Sequence, residues 1–147
     1  MIGAFAPNKR VDLAIRVFNC LKLPLNIVGK GQDEAFCRSI AGESISFLEE
    51  CDDEQLLELY QQARAFVFPG EDDFGITPLE AQACGTPVIA YAVGGALETV
   101  TETTGIFFEE QTEEALSHAV EEMEQRHQDF KPEDFKKNTS QLSLIHI

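Results

Sequence analysis

Positive charge is scarce in this chain. Lysine and arginine together number 11 against 26 aspartates and glutamates, a formal net charge of −15 over 147 residues. Nucleic-acid backbones are bound through excess positive charge, so the balance argues against a nucleic-acid partner; a small phosphate ligand, which needs only a local site, stays open. No apolar run reaches the roughly 18 residues that a membrane span needs. The first ten residues carry their charge, Lys9 and Arg10, after a short apolar stretch, the reverse of a secretion signal. Cysteine pairs are missing too: Cys20, Cys37, Cys51 and Cys84 are spaced by 17, 14 and 33, without a CxxC, and His118, His127 and His146 cluster with none of them. Neither a disulfide framework nor a zinc site is expected. Scattered thiols in a chain without a signal point to the cytoplasm, with the inner membrane face as a peripheral variant of that placement.

What is present is ordinary globular composition, 44% hydrophobic and 25% charged, in a length that fits one domain with a real core. The apolar pattern alternates strand and helix. Ile2 to Ala6 reads as a strand or the tail of one, broken by Pro7 and Asn8, and Val11 to Leu21 as a helix buried on a broad face. Strands follow at Leu25 to Val28, Ile45 to Leu48, Ala65 to Phe68, Val88 to Tyr91 and Gly105 to Phe108. Between them lie helices at Gln32 to Ile40, after Asp52 or Asp53 with Leu56, Leu57, Leu59 and Tyr60 inward, at Leu79 to Cys84, and from Gly94-Gly95 to about Val100. Thr112 caps a last helix to about Gln125, and from Asn138 on the pattern identifies no element. Short, near-continuous apolar strands separated by helices predict a doubly wound α/β fold, Rossmann-like, with a parallel sheet covered on both faces. Ligands in such folds bind beyond the carboxyl ends of the strands, which directs attention to the loops there.

The loop most suited to chemistry is Pro69-Gly-Glu-Asp-Asp-Phe-Gly-Ile-Thr-Pro-Leu-Glu80, between a strand and a helix. Gly75 permits a turn that a side chain would hinder. Pro78 suits a first helical turn, where its missing amide costs nothing. Free amides at such a helix start favour an anion or a sugar hydroxyl, and carboxylates such as Glu71, Asp72, Asp73 and Glu80 accept well from vicinal hydroxyls. The loop therefore suits a polyhydroxylated ligand beside a phosphate. The turn at Gly29-Lys30-Gly31 is not a P-loop, since position 24 is Pro24 and position 31 is not Ser or Thr. It is not a dinucleotide fingerprint either, since position 34 is Glu34.

This stretch resembles the signature of glycosyltransferase family 4, of the GT-B fold: two acids separated by seven residues, here Asp72 and Glu80, around Phe74-Gly75 and Pro78. Further matches follow the family order from about residue 3 to about 122. They are the Lys9-Arg10 turn, Val28-Gly-Lys-Gly31, the helix start at Asp53-Glu-Gln-Leu, Ala83-Cys-Gly-Thr-Pro-Val-Ile89, and Gly94-Gly95. The resemblance implies the donor-binding, C-terminal half of a retaining enzyme, working without a bound metal or cofactor. That enzyme would move a hexose, mannose among the candidates, from a nucleotide diphosphate sugar to a saccharide or lipid acceptor, as in polysaccharide biosynthesis. It implies that Glu80 holds the ribose hydroxyls, that Asp72 contacts the donor sugar with Glu71 beside it, and that Phe74, Gly75 and Ile76 offer backbone amides to that sugar. Lys9 would neutralise the diphosphate leaving group, Leu48 would border the base, and Gly29, Gly31 and Gly94 would line the cleft.

The sequence departs from the family pattern in two places. The first acid is Asp72 where glutamate is usual, and Ala4 stands where an arginine often forms a second diphosphate clamp. Lys9 then works alone, or Arg10, Lys30 or a cation from elsewhere replaces the arginine. Two alternatives share the fold, a non-catalytic nucleotide-binding module and a GT-B-type nucleotide-sugar epimerase. The expected organisation is a nucleotide-sugar-binding domain over residues 1–127 that begins inside its first strand. An acidic and polar exit segment follows over 128–141, and then a tail, 142–147, whose residues match a reading frame of a sequencing adaptor. The acceptor half is expected to lie outside this chain, which alone would bind nucleotide weakly and transfer nothing.

Overall fold

The computed structural model describes the backbone of residues 1–2, 5–48, 51–71 and 76–146, and the side chains of these residues other than 76 and 141–146. Five strands alternate with helices: α1 (Val11–Leu21), β1 (Leu25–Val28), α2 (Glu34–Ile40), β2 (Ile45–Leu48), α3 (Asp53–Gln62), β3 (Phe66–Phe68), α4 (Ile76–Ala83), β4 (Val88–Tyr91), α5 (Gly95–Thr99), β5 (Gly105–Phe108), α6 (Glu113–Arg126) and α7 (Pro132–His146). All the strand pairings are parallel. β1 pairs with β2 in the register Leu25 to Ile45 through Val28 to Leu48, and β4 lies between β3 and β5.

Strands β3, β4 and β5 are apolar throughout because both faces are covered, whereas β1 and β2 each expose one polar residue, Asn26 and Ser46, and alternation sorts the side chains into two core clusters. Val67, Ile89, Ile106 and Phe108 point into the cluster made with α1 and α6, through Leu13, Ile15, Val17, Leu116 and Val120. Phe66, Phe68, Val88 and Ala90 point the other way, onto Tyr60, Ala81, Ala96 and Val100. Helix ends follow local chemistry. Asp52 caps α3 in a reciprocal box with Gln55, and Thr112 Oγ1 accepts from the Ala115 amide at the start of α6.

The parallel sheet is present, in two ladders rather than one continuous one. Of the expected strand from Ile2 to Ala6, the described residues show one bridge, Ile2 to Val28, and a hydrogen bond from the Phe5 amide to Lys30 O at 3.0 Å. A cavity of about 520 Å³ separates the ladders, lined by Ile2, Leu25, Val28, Phe66, Val67 and Ile89 among others. Its lining includes Leu23 and Pro24 just before β1 and Arg64 and Ala65 just before β3.

Three local expectations are corrected. Helix α4 begins at Ile76 rather than Leu79, with Pro78 in its first turn, where a missing amide is tolerated. Leu57 is 46% exposed, since it lies about 100° around α3 from the inward line of Leu56 and Tyr60. The chain beyond Asn138, for which the sequence pattern gives no element, is helical as part of α7. Its anchor is polar rather than apolar: Asn138 Nδ2 donates to Gln82 Oε1 and to Thr99 O, tying α7 to α4 and α5.

Candidate functional site

The site is assembled from turns at the carboxyl ends of the strands. Pro7–Lys9 form a single 3₁₀ turn, and Arg10 closes it in the left-handed region with φ 52° before α1 begins. This turn is clasped from two directions. Gly31, just past β1, lies against the Phe5 backbone, and the Asp33 amide donates to Phe5 O at 2.8 Å. Gly70, just past β3, lies against the backbone of Asn8 and Lys9 so closely that a Cβ there would collide with it. The Glu71 amide donates to Asn8 O at 3.0 Å, and Asn8 Nδ2 donates back to Glu71 O at 3.3 Å. Gln111, from the turn after β5, donates to Pro69 O at 3.0 Å and fixes the same loop from behind. The half-buried Lys9 and the exposed acid Glu71 are thereby joined through Gly70, although 62 residues separate them in sequence.

The remaining predicted residues take these places. Glu80 is on α4, exposed, with Oε2 accepting from the Tyr60 hydroxyl at 3.2 Å. Ile76 opens α4. Gly29 follows β1 directly, and Leu48, half-buried, ends β2 beside Val28. Gly94 precedes α5 with φ 69°, a conformation that favours glycine. Arg10 is paired with Asp12, its Nε 3.2 Å from Oδ1. Asp72, Phe74 and Gly75 lie outside the described residues.

The electrostatics around Glu80 are set by burial. The Tyr60 hydroxyl is held well above the usual phenol range by desolvation, with the Glu80 charge and the hydrogen bond adding to it. Burial, then Glu80, also raises the Cys84 thiol. Tyr60 therefore stays a neutral donor at any physiological pH. Sequence reasoning placed Tyr60 in the core and did not see its contact with Glu80. Nothing in the local sequence marks Gly70 as the point where the Lys9 turn lands. Among the described residues no group of histidine, cysteine and acid side chains is arranged to hold a metal. No helix there is long and apolar enough to cross a membrane.

A parallel α/β sheet with Lys9 and Glu71 joined through Gly70 just past the strands, and Glu80 on the helix that follows, holds these residues at the end where doubly wound folds bind their ligands. The comparisons give the family. Residues 1–142 match the family model described as glycosyl transferases group 1, and the chain belongs to that family. It is 36% identical over 110 residues to a GDP-mannose-dependent monoacylated alpha-(1-6)-phosphatidylinositol monomannoside mannosyltransferase of Corynebacterium glutamicum, covering 67% of this chain and 29% of that protein. To a D-inositol 3-phosphate glycosyltransferase of Mycobacteroides abscessus it is 33% identical over 136 residues, covering 83% of this chain and 30% of that one. Its fold matches a sucrose-phosphate synthase from Thermosynechococcus elongatus with a TM-score of 0.80 at 26% identity, over 96% of this chain and 41% of that one. The architecture is the Rossmann-like half of a GT-B glycosyltransferase, and the chain spans about three-tenths of the length of these curated relatives.

Proposed function

We propose that this chain is the donor-binding part of a retaining hexosyltransferase that takes a nucleotide diphosphate sugar and serves a saccharide or lipid acceptor. The observation that carries the reading is the junction at Gly70, which brings the Lys9 turn onto the acidic loop leading into α4. Glu80 holds the ribose hydroxyls through its carboxylate. Lys9 offsets the diphosphate charge that grows as the sugar–phosphate bond breaks toward an oxocarbenium-like state, an electrostatic contribution on the order of a few kcal/mol. Glu71 and Asp72 are assigned contacts with the donor sugar, and no resident metal takes part. Residues 1–127 form the nucleotide-sugar domain, and α7 spans most of the exit segment. Likeness to a relative named for GDP-mannose makes that donor the first to try.

The test is thermal melting with guanosine, uridine and adenosine diphosphates and their sugar conjugates. A ligand at about 100 times its dissociation constant stabilises by about 2.7 kcal/mol, a shift of several degrees at this length. One nucleotide raising the midpoint, with Glu80→Ala lowering the rise, supports the reading and names the base. A rise that Glu80→Ala leaves unchanged removes the role given to that residue.

A further inference from the structure

Tyr60 touches the proposed site from its buried side. Its ring is 5% exposed and packs 5.6 Å from Phe66, centroid to centroid. Its backbone carbonyl accepts a hydrogen bond from Thr86 Oγ1, so both ring and main chain are held by β3 and the turn before β4. The hydroxyl reaches α4, where it donates to Glu80 Oε2 at 3.2 Å. Among the described residues no other hydrogen bond holds that carboxylate.

We propose that Tyr60 is a positioning residue for nucleotide binding: its hydroxyl anchors one oxygen of Glu80 and keeps the carboxylate in a single orientation toward a ribose. The inference rests on the proposed ribose contact of Glu80. An exposed glutamate on a helix otherwise samples several rotamers, and a ligand that needs one of them must pay for the restriction. An anchor rooted in the core removes that cost before the ligand arrives. The arithmetic of acceptors permits it. A carboxylate offers about four acceptor positions on two oxygens, so one donor from Tyr60 leaves enough for two vicinal hydroxyls. Because the phenol stays protonated well past neutral pH, the anchor does not switch off in that range.

The experiment is calorimetric titration of the full chain with guanosine, uridine and adenosine diphosphates and with their 2′,3′-dideoxy counterparts. The proteins are the unaltered chain, Tyr60→Phe, Glu80→Ala and the double variant. Tyr60→Phe keeps the ring in its cluster and loses only the hydroxyl, which a melting curve verifies. The expected result is a loss of about three- to tenfold in affinity for the nucleotide that binds, the scale of one hydrogen bond to a charged group on a partly exposed side chain. The loss is expected to vanish in the Glu80→Ala background and with the dideoxy ligand. Unchanged affinity in Tyr60→Phe, while Glu80→Ala loses binding, overturns the inference and leaves the donor site standing. An equal loss in both backgrounds, or with the dideoxy ligand, makes Tyr60 merely structural and overturns it too. Glu80→Ala without effect, or no binding by the unaltered chain, removes the ribose contact and the inference with it.

Discussion

Gly70→Ala is the most direct perturbation of the proposed site. The added methyl would meet the Asn8 carbonyl oxygen and the Lys9 Cα and carbonyl carbon, all backbone atoms, so no side-chain rotation relieves it. The Pro7–Lys9 turn must lift off the loop, and with it go the two hydrogen bonds between Asn8 and Glu71. Overpacking of this kind costs about 1–3 kcal/mol. The two bonds, exposed to solvent, add on the order of 1 kcal/mol together. A total of roughly 2–4 kcal/mol, at about 3 °C per kcal/mol for this length, lowers the melting temperature by roughly 6–12 °C. Nucleotide affinity falls by more than tenfold as well, because Lys9 is carried away from the acidic loop. Gly42→Ala is the control. Its methyl would meet Asn19 Oδ1, the end of a side chain, at the amino end of β2. That variant loses some stability and keeps its affinity. Calorimetric melting and nucleotide titration of both variants separate the two effects. A Gly70→Ala protein that melts within 2 °C of the unaltered chain and binds nucleotide equally well would refute the reasoning.

Three further outcomes are expected. Asn138→Ala strands the amide oxygen of Gln82, which is 0% exposed, and should cost about 1–3 kcal/mol by chemical denaturation, whereas an exposed asparagine would cost nothing measurable. Cys37, 1% exposed, has its thiol pushed up to about 11 by burial and then by Asp12 and Asp33. Its stabilising contribution is therefore complete below the unfolded pKa of about 9 and lost as pH rises toward 11, on the order of 2–3 kcal/mol, so Cys37→Ala should flatten the fall in stability across that window. The nucleotide-induced rise in melting temperature should be the same with and without a chelator; a rise that needs added magnesium would contradict the metal-free reading.

The layered part of the fold was legible because apolar periodicity is a local signal. Val11–Leu21, Leu25–Val28, Ile45–Leu48, Val88–Tyr91 and Gly105–Phe108 begin and end where the pattern and its breakers say. Capping was legible for the same reason, to Thr112 and to one of Asp52 and Asp53, because a cap acts within three positions of itself; the structure picks Asp52. Pairings across the chain were not. Nothing in the spacing of Asn8 and Glu71, or of Gln82 and Asn138, distinguishes them from solvated polar residues, because their partners are defined only once the strands are in register. The same holds for Tyr60, whose neighbours in sequence mark it as core while its hydroxyl serves another helix.

Two of these long-range pairings converge on one element. Helix α4 carries Glu80 on its exposed side, where Tyr60 of α3 reaches it, and Gln82 on its buried side, where Asn138 of α7 closes on it. Gln82 also donates to Thr99 O at 2.8 Å, so α5 is joined to the same helix. Glu80 and Gln82 are two residues apart and so face different sides of one rigid turn. A shift of α7 that breaks the Asn138 contact is therefore expected to move the helix that carries Glu80, and with it the proposed ribose contact. Loosening that contact should weaken nucleotide binding in Asn138→Ala together with stability, whereas Cys37→Ala, in the other core cluster, should change stability alone.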